Sequence, residues 1–526
     1  MKKLVLILLA LVMVVSVFAS CGDGKDPSST PKQTTKKPAG DKTPGGDTTE
    51  IPEEEKINLD LDAIDHNSQL VSIYHWKPDA GLEEFDMVID DSNKNDAVAV
   101  SISNRNTYTE IDLGVDLDWF EQKNSGYTQI RNFIDKLEAR LTDTPVDIIA
   151  GQTRVMPYLM MEGYLTDLNT YSDSLDLEKA WWPESLSDVF DIKGNTYFIS
   201  GDISANLLRM MTVIFVNKTK LESTGTNYDE FMQKIERYEW TLADLIELTN
   251  DQYQNLDNDP NPSAGDQFGL VTTYFHSDGL YAGLGYKYMI SSSKDDQVFR
   301  LSSQIANETA DNYVKDMKDW NATHNLFMDP NEKIYEDAFT NGQALFLLHR
   351  AWFGFELAKT EVNYAVIPTP RLDVAVDEDD QEYFTTIGNQ FTSYGICKDA
   401  TDYDIAAETI QVLGYHALTT TTPSLYEVSF IGKFAKDDYT IKMFEIIRES
   451  IIFDIGRVYD VFISTTEPGY TDYLLPNIIS LPIRGNLDGT EISFNFTSSG
   501  DPTRKKMDDY IKEANKKLID FINAQQ

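Results

Sequence analysis

The sequence predicts an α/β protein of two lobes, each built on a mostly parallel sheet. Three observations lead there: the length, the alternation of strands and helices where the folded region begins, and the return of that alternation in the last third. The chain has 526 residues. A single core stops growing at about 250–300 residues, so two cores are expected. Short β-rich runs separated by segments of helical period are the pattern of βαβ units.

The leader comes first. Lys2 and Lys3 precede an apolar run from Leu4 to Phe18, shorter than the roughly twenty residues that a membrane-spanning helix needs. Residues 1–20 therefore read as a signal peptide. The run closes in Phe18-Ala19-Ser20-Cys21, which resembles the lipobox of bacterial lipoproteins, with Phe18 in place of the usual leucine. The resemblance implies a diacylglyceryl group on the Cys21 thiol. Residues 21–56 are then mostly Gly, Asp, Pro, Ser, Thr and Lys, with almost no apolar side chain. Such a segment buries too little to offset its ordering entropy and is expected to be a flexible tether.

Folded sequence begins at Leu70-Val71-Ser72-Ile73-Tyr74-His75-Trp76, a strand-like run broken by Pro78 and Gly81. A second strand is expected over 114–119. The spacing of Ile130, Ile134, Leu137 and Leu141 then predicts a helix, and 146–151 a third strand. A short helix over 156–163 closes at Gly163. Further on, 212–216 is β-rich and Thr241 is placed to cap a helix. Late in the chain a helix is expected from about 334 to 357, a strand over 363–367 and a helix over 402–417. Residues 503–524 read as an amphipathic surface helix.

Composition excludes several classes of function. The formal net charge is −41, with Asp and Glu spread along the chain. Nucleic-acid binding is disfavoured, since it rests on Lys and Arg neutralising phosphates. Beyond Cys21 the only cysteine is Cys397, so an internal disulfide has no partner once Cys21 is lipidated. The sequence has no Gly-x-Ser-x-Gly elbow, no His-Glu-x-x-His motif and no Gly-rich phosphate loop. The six histidines lack metal-ligand spacing. No catalytic residue, metal ligand or cofactor is nominated. Paired carboxylates could still serve a surface glycosidase or lyase, but with so many Asp and Glu residues no pair stands out.

The ordered motifs carry a resemblance. They include Pro145-Val146-Asp147-Ile148-Ile149-Ala150-Gly151, Gly163-Tyr164-Leu165-Thr166-Asp167-Leu168, Trp181-Trp182-Pro183 and Lys193-Gly194-Asn195-Thr196-Tyr197-Phe198. Ile214-Phe215-Val216-Asn217-Lys218, Glu239-Trp240-Thr241, Phe339-Thr340-Asn341-Gly342-Gln343-Ala344-Leu345-Phe346 and Tyr364-Ala365-Val366-Ile367-Pro368-Thr369-Pro370 follow. In this order they resemble the extracellular solute-binding proteins of carbohydrate ABC importers, family 1 type. The resemblance implies a two-lobed periplasmic-binding-protein-like fold of class II, with the lobes joined by crossover hinge segments and the ligand enclosed between them. Lobe one would take 68–204 with 384–452, and lobe two 205–370 with 455–526. The implied partners are a carbohydrate and the membrane permease. The implied location is the extracellular face of the cell membrane, through the lipid anchor. A surface glycan-binding lipoprotein with no transporter is the alternative.

A sugar offers C–H faces to aromatic rings and in-plane hydroxyls to polar groups. Trp352 is the first candidate, because the family often presents a tryptophan into the cleft after the 339–346 segment; packing within a helix is the competing role. Its neighbour Arg350 could donate to hydroxyls or a carboxylate. Trp76, Gly151 and Gln152 follow strands, where open α/β sheets bind ligands beyond the carboxyl ends. Asp202 and Asn389 are polar groups at the two expected crossings, with turn or cap roles as the alternative. Trp181 and Trp182 are expected to pack. The segment from Asp257 to Asp266 resembles a calcium loop in part, yet Pro262 replaces its turn glycine and Phe268 its bidentate Glu. A surface turn is expected there.

Overall fold

The computed structural model describes residues 58–59, 64–77, 96–123, 129–291, 298–330, 332–374, 382–426, 438–464, 475–484, 495, 497–498 and 501–525. The leader, Cys21 and the tether lie outside the described residues. Among those residues, no helix is long and apolar enough to cross a membrane.

In chain order the strands are β1 (Gln69–Trp76), β2 (Val115–Gln122), β3 (Ile148–Gln152), β4 (Thr212–Asn217), β5 (Phe268–Thr273), β6 (Met289–Ser291) and β7 (Phe299–Leu301). They continue with β8 (Leu326–Asp329), β9 (Ala344–Arg350), β10 (Tyr364–Ile367), β11 (Thr385–Thr386), β12 (Thr392–Ile396) and β13 (Ile451–Ile452). Two sheets dominate, with orders β12-β3-β1-β2 and β10-β4-β9-β5-β8. In the first, β1 runs parallel to β2 and β3, and β12 lies antiparallel to β3. In the second, β5 runs parallel to β8 and β9, while β4 is antiparallel to β9 and β10 to β4. Both sheets therefore read second strand, first strand, third strand, then an antiparallel strand that the chain brings across from the other sheet. This is the class II order, and the α/β fold with two sheets is the one expected.

Burial explains why these runs are strands. β4, β5 and β9 are buried at every position, as strands covered on both faces should be. The expected helix over 334–357 is corrected here. Only its two ends are helical, Tyr335–Thr340 and Gly354–Leu357; Gly342, at φ 72°, stops the first in the left-handed region and β9 lies between them. A short continuous apolar run such as Ala344 to Leu348 has no period to tell buried strand from helix. The helix Ala97–Leu113 was not anticipated. Its buried face includes Ser101, Arg105 and Thr109, so its amphipathic signal is weak, but the Asp96 carboxylate caps the amides of Val98 and Ala99. The Thr241 cap forms as expected, with Asp244 completing a capping box.

Three segments meet between the sheets. Residues 204–211 lead into β4 and 385–391 lead into β12; Met211 bridges Ile387, and β11 pairs in parallel with β13. The chain then turns into two short helices, Ile455–Val458 and Asp460–Ser464. Tyr459, between them, touches both halves: its ring lies 6.2 Å from Phe198 and 5.3 Å from Phe299.

Trp181 and Trp182 are buried, with the Trp182 indole donating to Gln411 Oε1 at 3.2 Å. Gly414, on the helix Tyr403–His416, sits directly against the Trp181 ring, and a Cβ there would overlap it. Gly414→Ala is expected to lower stability by about 1–3 kcal/mol, despite the roughly 1 kcal/mol that alanine gains over glycine in helix propensity. Urea unfolding would show it as a lower midpoint with an unchanged slope. A midpoint at or above that of the parent would mean the helix can shift away from Trp181.

Candidate functional site

The carboxyl ends of strands from both sheets meet in one buried polar group. Arg154 follows β3 by two residues, Arg350 ends β9, and Asp278 stands a few residues past the end of β5. All three are buried. The short helices after β13 supply Arg457 and Asp460, also buried. Arg154 pairs with Asp460 at 2.6 Å. Arg457 pairs with Asp278 through Nη1 and donates from Nη2 to the Ile387 carbonyl at 2.9 Å. Arg350 pairs with Asp278 at 3.3 Å, donates to the Phe275 carbonyl at 3.1 Å and reaches the Thr212 hydroxyl. With its amide oxygen turned to Arg154, Asn389 accepts from Nε at 2.8 Å.

The electrostatics of this group follow from its burial. Burial first, and the charge of Arg154 second, lower the Arg350 and Arg457 pKa values to about 9. Burial also raises Asp460 to about 6, against the pull of Arg154 and Arg457.

An aromatic layer adjoins these charges. Phe275 is 41% exposed and Trp352 half-buried, so both offer ring surface, while Phe353 is buried. Between them lie two imidazoles, His276 and His349, with ring centres 4.1 Å apart. Phe275 meets His276 at 4.5 Å, and Trp352 meets His349 edge-on at 5.2 Å. Burial pushes both imidazoles below their ordinary pKa, and His349 and Arg350 push His276 further. His349 Nε2 is 3.0 Å from Glu336. Rings beside fixed donors can hold a pyranose by its C–H face and its hydroxyls together.

The structure thus brings Arg350, Trp352 and Asn389 into one neighbourhood. Trp76 and Gln152 stand behind it. The Trp76 indole is buried and donates to the Thr392 hydroxyl at 2.9 Å; Gln152 is buried opposite Thr392 in the β3–β12 ladder. Asp202 belongs to another buried group, where it receives the Thr422 hydroxyl and lies 3.3 Å from Arg448. Burial raises its pKa, opposed by Arg448. Phe275, Asp278, Arg154, Arg457 and Asp460 escaped the sequence reading. For Phe275, Asp278 and Arg154 the signal existed, because each lies just beyond a strand end. In the turn from Asp257 to Asp266, Asp257 accepts from the amide of Asp259, Asp259 from that of Asn261, and Asp266 from those of Leu256 and Ser263. These carboxylates fold the loop.

Asp454, buried at the end of the third segment, accepts the amides of Tyr288 at 2.6 Å, Met289 at 3.3 Å and Gly456 at 2.7 Å. Burial nevertheless raises its pKa from 3.8 to about 6. The folded chain then binds a proton more readily than the unfolded one. This contribution to stability is full below about 3.8 and is lost as pH rises through about 6. Asp454→Asn removes it. The stability of the variant relative to the parent should rise by on the order of 3 kcal/mol between acid and neutral pH, read from urea midpoints. A pH-independent difference would count against the assignment.

No family model matches the sequence, and no curated protein matches it. Solved structures do resemble the chain. An ABC substrate-binding protein from Listeria monocytogenes, solved with cycloalternan, is 13% identical; the alignment covers 86% of this chain and 99% of that one, with a TM-score of 0.46. A cyclo/maltodextrin-binding protein complexed with maltotetraose is 10% identical, covering 85% and 97%, with a TM-score of 0.49. A family 1 extracellular solute-binding protein from Bifidobacterium longum subsp. infantis is 15% identical, covering 87% and 100%, with a TM-score of 0.46.

Proposed function

We propose that this chain is the solute-binding component of an ABC importer, capturing an oligosaccharide between two lobes and delivering it to a membrane permease without chemical turnover. One observation carries the reading. Side chains at or just beyond the carboxyl ends of β3, β5 and β9, on two separate sheets, meet in a single polar and aromatic group beside the segments that join the sheets. Ligands of open α/β sheets bind at such ends, and segments side by side can act as a hinge. In this reading the lobes are 68–204 with 384–452 and 205–370 with 455–526. Cys21 carries the lipid that keeps the protein at the extracellular face, and the 21–56 tether lets it reach its permease.

Calorimetric screening of oligosaccharides, followed by solution scattering with the best binder, tests the proposal. Saturable binding with a smaller radius of gyration is the expected result. Product release, or tight binding with no compaction, would overturn it. Cys21→Ala should move the protein from the membrane fraction to the soluble one and abolish fatty-acid labelling; retention with label would place the anchor elsewhere.

A further inference from the structure

Three buried arginines meet at the proposed cleft in a chain with 45 Lys and Arg against 86 Asp and Glu. They arrive from three separate places: the turn after β3, the end of β9 and the helix after β13. We infer that the captured sugar is acidic, a uronate-containing oligosaccharide whose carboxylate is received by Arg350 with Arg154 and Arg457 around it. The inference rests on the receptor reading and specifies its ligand.

The geometry supplies both halves of the recognition. Arg350 donates to the backbone of Phe275, the exposed ring of the layer, and follows His349, which contacts Trp352. A pyranose lying on those rings puts its exocyclic substituent within reach of the guanidinium. In a neutral sugar that substituent is a hydroxymethyl group; in a uronate it is a planar carboxylate, which matches the guanidinium fork. The charges agree. Arg154 pushes both Arg350 and Arg457 toward losing their protons, so an added anion relieves repulsion that a neutral ligand leaves in place. Asp278 is shared by Arg350 and Arg457, so an incoming carboxylate can take over one of the two without leaving the other unpaired.

Calorimetry on the intact protein separates the possibilities. The probes are oligogalacturonates, oligomannuronates and glucuronate-bearing xylo-oligosaccharides, each beside its methyl-esterified form, together with neutral malto-, xylo- and galacto-oligosaccharides. At least one acidic probe should bind roughly tenfold or more tighter than its ester, the increment of a hydrogen bond to a charged group. That preference should shrink with added salt and vanish in Arg350→Gln. Esterification leaves the protein untouched, so the comparison stands even where Arg350→Gln fails to fold. A neutral oligosaccharide that binds as tightly as any acidic one would overturn this inference and leave the receptor reading intact. Binding of neither kind would remove both.

Discussion

Replacing Arg154 with methionine should destabilise the protein by about 3–5 kcal/mol, the cost of leaving a buried charge without its partner. The charge that loses its direct partner is that of Asp460, whose side chain is fully buried and whose carboxylate meets Arg154 at 2.6 Å, leaving it only the pull of Arg457. Methionine fills a similar length of apolar space, so the loss is electrostatic more than volumetric. Asp460→Asn in the same background should recover much of it, because a neutral amide costs far less to bury than a carboxylate. The double-mutant cycle, read by urea unfolding, decides. Additive losses would show that the pair is not coupled in the folded state.

The second large effect concerns binding. Phe275→Ala should weaken the best-binding oligosaccharide by roughly 30-fold or more, about 2 kcal/mol, as truncation of a central aromatic contact does. Its stability should change by no more than roughly 1 kcal/mol, because the ring is 41% exposed and holds little of the core together. Trp352→Ala should match the loss of affinity while costing more stability, since that indole also packs on His349 and Phe353. If calorimetry shows Phe275→Ala binding like the parent, the ligand does not lie on this layer.

The two variants separate what was legible in the sequence from what was not. β1, β2, β3, β4 and β10 were readable because β-rich runs stood between breaking residues. β12 was not: Thr392, Ser393 and Gly395 give it no apolar run, and it becomes a strand only because β3 offers an edge. β9 was misread for the opposite reason, since Ala344 to Leu348 is apolar at every position. Trp352 could be nominated from the family resemblance, Arg350 as its neighbour, and Asn389 from an expected crossing. Arg154 and Asp460 could not be paired across 306 positions of chain without the fold that joins them. Phe275 and Asp278 were lost with β5, because a rule about strand ends has nothing to act on until the strand is recognised.

The antiparallel strand in each sheet also sets a schedule. β3 pairs with β12, which leaves the ribosome about 240 residues after it. At roughly 5–20 residues per second, one flank of the first sheet waits on the order of 10–50 seconds for the strand that covers it. An open strand edge is an invitation to mispairing. A nascent chain of this design therefore gains from being kept unfolded by a holdase until its last third has emerged, and truncations ahead of residue 392 should aggregate rather than fold as a smaller domain.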